Sequence, residues 1–220
     1  VRPQAVGSLE DLVRFYDEPF ADSSAVPSMA VAKLAAQHVK VALSGDGGDE
    51  AFGGYARYAH DLKEAALRDL IPDVMRRTFL ATLARMWPQA DWLPRPLRWK
   101  SILTNLSLNP DSAYANTLSI ARLPLRRQLL APSIRERLAG HRPEWHVESR
   151  WTQGNGDALA AMLSTDIELM LPDDFLTKVD RASMAFGLEV RPPFVDHELL
   201  ELTASLPSRF KVRSGETKWI

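Results

Sequence analysis

One stretch of this 220-residue chain constrains its fold more than any other: residues 39–58, VKVALSGDGGDEAFGGYARY. Val39, Val41 and Leu43 form a short apolar run that stops at a glycine cluster. That pattern predicts a buried strand of a parallel sheet over 39–43. Ser44, Gly45, Asp46, Gly47 and Gly48 then make a turn in which three residues lack a Cβ. Such a turn lets successive backbone N–H groups point into one concavity, which favours anions. A helical pattern follows from Asp49. The order is therefore strand, glycine turn, helix, and in open α/β sheets ligands bind at that carboxyl edge.

Asp46 and Asp49 place two carboxylates in this turn, which a bare phosphate nest would not favour. If a divalent cation is present, a carboxylate holds Mg²⁺ while backbone amides hold phosphate oxygens. The rival reading is a solvated turn in which Asp and Gly are ordinary turn formers. No Lys-Ser or Lys-Thr follows the glycines, so the loop is not of the Walker type.

The length suits one large domain or two small ones. The net charge of −1 offers no global field toward nucleic acid or an anionic membrane. There are no cysteines, which excludes disulfides and thiolate metal sites and agrees with a reducing, cytoplasmic setting. No apolar run approaches membrane-spanning length, and the first residues lack the apolar core of a signal peptide.

Along the chain, Leu9, Leu12, Val13 and Tyr16 predict a helix over 8–16 capped by Ser8. Asp22, Ser23 and Ser24 are available as caps for an alanine-rich helix over 27–37. A long helix is expected over 56–70. Residues 71–110 carry five prolines besides Trp87, Trp92 and Trp99, which read as aromatics packed between helices rather than as a nucleic-acid surface. Short helices are expected at 111–120, 124–130 and 132–139. Residues 140–156 read as mostly loop, with His141 and His146 on the surface. A strong helical period returns at Asp157, and Pro172 is expected to break it, with Asp173 or Asp174 capping a helix over 174–186 that ends at Gly187. Lys178 and Arg181 lie on one face of that helix, Lys178 as a solvated or substrate-side charge. Glu189 and Arg191, two apart in an extended segment, point the same way; a structural ion pair is the plain reading of them. A further helix is expected from about Asp196, another beginning in ETKWI, and strands over 188–191 and 210–212.

Three motifs thus stand in order: SGDGGDEAFGGY, DFLTKVDRASMAFGLEVRPPFVDHELLE and SGETKWI. Together they resemble the C-terminal synthetase domain of glutamine-hydrolysing asparagine synthetases, covering 8–58 and 157–220, with 71–150 matching only as a variable helical region. The resemblance implies a helix-dominated α/β fold, part of a doubly wound parallel-sheet adenine-nucleotide alpha hydrolase-like (ATP-pyrophosphatase) domain. Its motif-bearing parts would be 1–70 and 157–220, around a variable helical part over 71–156. It implies ATP and Mg²⁺ as cofactors, with aspartate and ammonia from glutamine as substrates. The full-length protein's own N-terminal glutaminase domain would be a partner.

By the same resemblance, Asp49 binds Mg²⁺. Asp46 stands where the family usually has Glu, near the ammonia and the activated carboxyl. Ser44, Gly45, Gly47 and Gly48 lie beside the nucleotide. Arg181 is near the phosphates, Glu189 and Arg191 stand behind the site, and Lys218 neutralises pyrophosphate. Adenylation builds charge on the bridging oxygen, so removing one such positioned cation commonly costs ~3 kcal/mol.

The family's Ser-Gly-Gly-x-Asp-Ser loop and catalytic cysteine occur nowhere in these residues, so both are expected upstream. The first strands would be missing too, leaving apolar sheet edges bare and favouring a homo-oligomer. Three rival functions accompany this reading. One is an amidotransferase acting on another carboxylate, as in exopolysaccharide biosynthesis. Another is a non-catalytic helical interaction module. The third, a diguanylate cyclase suggested by GGDEAF, is disfavoured because Ala51 separates Glu50 from Phe52 and a strand and glycine turn precede the motif.

Overall fold

The computed structural model describes residues 5–88, 99–151 and 156–220. Helix dominates. The helices are α1 (Ala5–Tyr16), α2 (Ala25–Ala35), α3 (Gly48–Phe52), α4 (Ala56–Asp69), α5 (Asp73–Met75), α6 (Ala81–Met86) and α7 (Lys100–Ser107). They continue as α8 (Pro110–Leu118), α9 (Leu123–Leu129), α10 (Pro132–Arg137), α11 (Trp145–Glu148), α12 (Ala158–Thr165), α13 (Thr177–Met184) and α14 (His197–Ser205). Among the described residues two π-helical stretches occur, at Arg76–Leu80 and Asp166–Leu176. The strands are β1 (Val41–Leu43), β2 (Glu189–Arg191), β3 (Val212–Arg213) and β4 (Glu216–Thr217). The chain divides into unit 1 (Val1–Gly54, Asp166–Arg213, Lys218–Ile220) and unit 2 (Tyr55–Thr165, Ser214–Thr217).

Unit 1 contains a small parallel sheet. β1 pairs with β2, Val41 opposite Glu189, Ala42 opposite Val190 and Leu43 opposite Arg191. The strand is where the apolar run predicted it, but it is not buried: Val41 is 42% and Leu43 73% exposed. The register explains this. Val41 and Leu43 lie two apart and share a face with Glu189 and Arg191, and that face is open in the described residues. The core of unit 1 lies elsewhere, where Tyr16, Ala25, Met29 and Ala182 join α1, α2 and α13, backed by Leu12, Phe15, Phe20 and Phe186. Small residues let α2 and α13 approach closely.

Unit 2 is built on α4, whose buried residues Tyr58, Asp61 and Arg68 recur at helical spacing. A separate apolar cluster of Leu80, Ala84, Leu103 and Leu106 ties α6 to α7, with Trp87 partly buried against it. Trp87 therefore packs between helices as expected. Trp99 is 53% exposed and does not; Trp92 lies outside the described residues.

Several local expectations are corrected. Ser8 does not cap α1, which begins at Ala5. Pro172 does not break the helix: it sits inside the π-helical stretch Asp166–Leu176, which continues into α13, so Asp173 and Asp174 are helical rather than caps. The wider π turn relieves the clash between a proline ring and the preceding turn, and Thr177 Oγ1 donates to the Pro172 carbonyl at 2.8 Å. The described part of 140–156, expected to be mostly loop, holds one short helix, α11. Of the strand expected over 210–212 only Val212 is extended, as the start of β3, while Phe210 ends a 3₁₀ turn (Ser208–Phe210); Glu216–Thr217 is strand rather than the start of a helix. Asp196 does begin α14, its Oδ1 accepting from the Glu198 N–H at 3.0 Å and the Leu199 N–H at 3.3 Å. Among the described residues no helix is long and apolar enough to cross a membrane.

Candidate functional site

The glycine turn leaves the carboxyl end of β1. The Ser44 N–H donates to the Arg191 carbonyl at 3.1 Å, which extends the β1–β2 pairing into the turn. Ser44 Oγ is buried without a hydrogen-bond partner. The turn closes when the Gly48 N–H donates to the Gly45 carbonyl at 3.2 Å, and α3 starts from Gly47 in the left-handed region. Gly47 needs that freedom twice over, because its φ is +88° and a Cβ there would lie 2.9 Å from Val195 Cγ2. The loop thus packs against the 3₁₀ turn Pro193–Val195, with Phe52 and Phe194 meeting edge to face at 6.2 Å. Gly45, by contrast, has open space where a side chain would go. α3 is only five residues long, and Glu50 is fully buried within it.

Lys218 reaches this turn: its Nζ lies 2.8 Å from Asp49 Oδ1. The pair is half-exposed, and Lys218 holds a φ of +51° to make it. Gly54 makes room, since a Cβ at that position would overlap both the Asp49 carboxylate and the Lys218 side chain. Asp46 is half-buried in the same turn. Arg191 and Glu189 stand beside it on β2, and Arg191 Nε donates to Glu189 Oε1 at 2.7 Å. Both side chains are exposed, so this ion pair adds little stability. The structure therefore gathers Ser44, Gly45, Asp46, Gly47, Gly48, Asp49 and Lys218 at the sheet end where β2 finishes at Arg191, with Glu189 paired to Arg191 from the start of that strand. Arg181 is engaged elsewhere, donating to Asp17 at 2.8 Å.

Sequence reasoning missed a second group in unit 1. Lys178 is not a solvated residue. Its Nζ donates to Asp22 Oδ2 at 2.6 Å and to Ser24 Oγ at 2.8 Å, and the pair is largely buried. The Tyr16 hydroxyl donates to the Lys178 carbonyl at 2.9 Å. Burial pushes Tyr16 up to about 12, with Asp22 adding to it. Burial works to raise Asp22 as well, but hydrogen bonds from Lys178 and Ser24 outweigh it and hold the carboxyl below its ordinary value. Asp174 moves the other way, raised by burial and then by Asp22, with Lys178 opposing. The sequence signal was an Asp and a Lys apiece, 156 residues apart, which no local rule connects.

Among the described residues no group of three or more His, Asp or Glu side chains is placed to hold a metal by itself. Asp49, with Asp46 in the same turn, offers at most two carboxylates. Mg²⁺ is commonly held by one or two protein carboxylates together with substrate phosphates, so this donor set fits an ion that arrives on a nucleotide.

The asparagine synthase family model matches residues 1–220. A putative asparagine synthetase [glutamine-hydrolyzing] of Mycobacterium tuberculosis is 35% identical over 219 residues, covering 97% of this chain and 31% of that protein. Asparagine synthetase [glutamine-hydrolyzing] 1 of Bacillus subtilis is 30% identical over 219 residues, covering 98% of this chain and 32% of that protein. The chain spans about a third of the length of these curated relatives. No solved structure matches it.

Proposed function

The chain belongs to the asparagine synthase family, and from that premise we propose that it supplies the metal- and pyrophosphate-handling side of an ATP-dependent ligase that converts aspartate to asparagine. In the proposed reaction an aspartate side-chain oxygen attacks the α-phosphorus of ATP. The bond to pyrophosphate breaks and an aspartyl adenylate forms. Ammonia released from glutamine by the protein's own glutaminase domain then displaces AMP. The motif-bearing parts are 1–70 and 157–220, and 71–156 is a variable helical part. The nucleotide fold is a doubly wound parallel sheet of the ATP-pyrophosphatase kind.

The observation that best supports this reading is the 2.8 Å pair between Lys218 Nζ and Asp49 Oδ1 beside the glycine turn. A lysine and a carboxylate side by side at the end of a parallel strand suit a Mg-bound oligophosphate, because each charge finds a new partner when it arrives. Asp49 would hold Mg²⁺, which when bound neutralises phosphate charge. Lys218, freed from Asp49, neutralises the departing pyrophosphate. The Gly45, Gly47 and Gly48 backbone lines the nucleotide side, with the buried Ser44 hydroxyl behind it. Arg191, oriented by Glu189, adds a fixed positive charge, and Asp46 faces the ammonia. Arg181 joins the phosphate contacts only by leaving Asp17. Aligning two anions that repel each other is most of what such a site must do.

The test is aspartate-dependent exchange of labelled pyrophosphate into ATP by the full-length protein with Mg²⁺. Exchange with aspartate is the expected result. Exchange only with another carboxylic acid moves the proposal to a different acceptor, and no exchange with any carboxylic acid overturns it. The 220 residues alone, which contain neither a cysteine nor a Ser-Gly-Gly-x-Asp-Ser loop, give no exchange and hydrolyse no glutamine.

A further inference from the structure

The segment that delivers Lys218 is fixed against the end of α3. Gly53 and Gly54 follow that helix, and each spares a side chain where the segment lies. A Cβ at Gly53, whose φ is +67°, would lie 3.0 Å from Val212 Cγ2. One at Gly54 would overlap the Lys218 stem as well as the Asp49 carboxylate. Beyond Lys218, the Trp219 N–H donates to the Lys211 carbonyl at 3.1 Å, and Arg213 lies over the Trp219 ring at 5.1 Å. Lys218 itself holds a left-handed φ of +51°, a strained conformation for a residue with a Cβ. An ion pair as exposed as Lys218–Asp49 adds little stability. Stability therefore does not account for a strained lysine aimed at one carboxylate.

Electrostatics does. Lys218 Nζ engages Asp49 Oδ1 at 2.8 Å, an oxygen that a metal ion on Asp49 would use. With the lysine in place, a free divalent ion finds Asp46 and the other Asp49 oxygen beside a positive charge. No third carboxylate or imidazole completes a site among the described residues. Like charges a few ångströms apart repel, and the repulsion doubles for a divalent ion. Displacing Lys218 into water would leave the ammonium without an anionic partner. When a nucleotide brings its own Mg²⁺, Asp49 gains the metal and Lys218 gains phosphate oxygens.

We propose that Lys218 is an internal counter-cation for Asp49, one that bars free divalent metal from the glycine turn and yields Asp49 only to metal already bound to an oligophosphate. The inference rests on the reading of Asp49 as the metal-holding carboxylate. It adds an order to that reading: metal and phosphate enter the turn together, and Lys218 returns to Asp49 when they leave.

The experiment measures Mn²⁺ binding to the full-length protein by the electron paramagnetic resonance of the free ion. Mn²⁺ suits the same oxygen ligands as Mg²⁺. The two probes are Mn²⁺ alone and Mn²⁺ with the unreactive analogue α,β-methylene-ATP. Lys218→Met keeps the stem and removes the charge. At low ionic strength it binds Mn²⁺ alone about tenfold more tightly than wild type, and the Mn²⁺–analogue complex about tenfold more weakly. Lys218→Arg keeps the charge and stays close to wild type with both probes. Asp49→Asn, added to Lys218→Met, abolishes the gain. A lysine with a merely structural role would weaken both probes together. Equal or weaker binding of Mn²⁺ alone by Lys218→Met overturns the inference, as does a gain that survives Asp49→Asn. The reading of Asp49 fails separately, if Asp49→Asn alone leaves binding of the Mn²⁺–analogue complex unchanged.

Discussion

In unit 1, Asp22 faces Lys178; in unit 2, Asp61 faces the hydroxyl of Thr117. The residue type is the same and the outcome is opposite. Lys178 and Ser24 overcome the burial of Asp22 and hold it ionised. Burial prevails at Asp61, which is pushed up to about 6: the Thr117 hydroxyl and the charges of Arg57 and Arg68 oppose it without overcoming it. A carboxylate that meets a cation keeps its charge and can orient chain segments far apart in sequence. A buried carboxylate with a hydroxyl as its hydrogen-bond donor and no ion pair is pushed toward the protonated form.

The comparison breaks most sharply at Lys178. Lys178→Ala strands Asp22 beside Asp174, and we expect a loss of about 3 kcal/mol in chemical denaturation; a change below about 0.5 kcal/mol would make the pair an incidental surface contact. The Asp49–Lys218 pair comes next. Gly54→Ala pushes a methyl group into it, so pyrophosphate exchange by the full-length protein falls about a hundredfold with folding retained. Unchanged exchange would show that the pair is not part of the working site.

The smallest effect tests unit 2. The folded pKa of Asp61 lies above its ordinary value, so the folded state prefers the protonated form. Its stabilising contribution is therefore full below about pH 4 and is lost as pH rises through about 6. Asp61→Asn keeps an acceptor for Thr117 and removes the titration. We expect the variant to be more stable than wild type by roughly 2 kcal/mol at pH 8 and to lose that advantage by pH 4. Melting temperatures of both proteins across this range are the measurement, and parallel curves would refute the assignment.

Local rules reached the elements that local chemistry decides. A β-branched run ending in glycines marked β1 and its turn, and the Glu189–Arg191 spacing marked a strand with both side chains on one face, as β2 shows. The helix leading to Gly187, which has a φ of +65°, was legible for the same reason. Elements decided by tertiary partners were not. Apolar periodicity implied burial for Val41 and Leu43, but burial depends on what covers the sheet. Lys178 looked solvated because its partners, Asp22 and Ser24, resembled helix caps. The long helix expected over 56–70 was legible, but nothing in its own sequence showed that Asp61 and Arg68 would be buried against α7 and α12. At Pro172 a sound rule lost to a rarer geometry, since the π turn accepts a proline that an α turn would reject.

That π-helical stretch also sets the phase of α13. A π turn takes up more residues than an α turn, so side chains beyond Leu176 point in directions that counting by 3.6 from Asp166 would misplace. The heading of Lys178 toward Asp22 thus depends on residue number upstream as much as on residue identity. Shortening this stretch by one residue would leave every side chain of α13 chemically intact and swing them together around the helix axis. The count of residues between Asp166 and Leu176 is therefore as much a part of the Lys178–Asp22 contact as the two charges that make it.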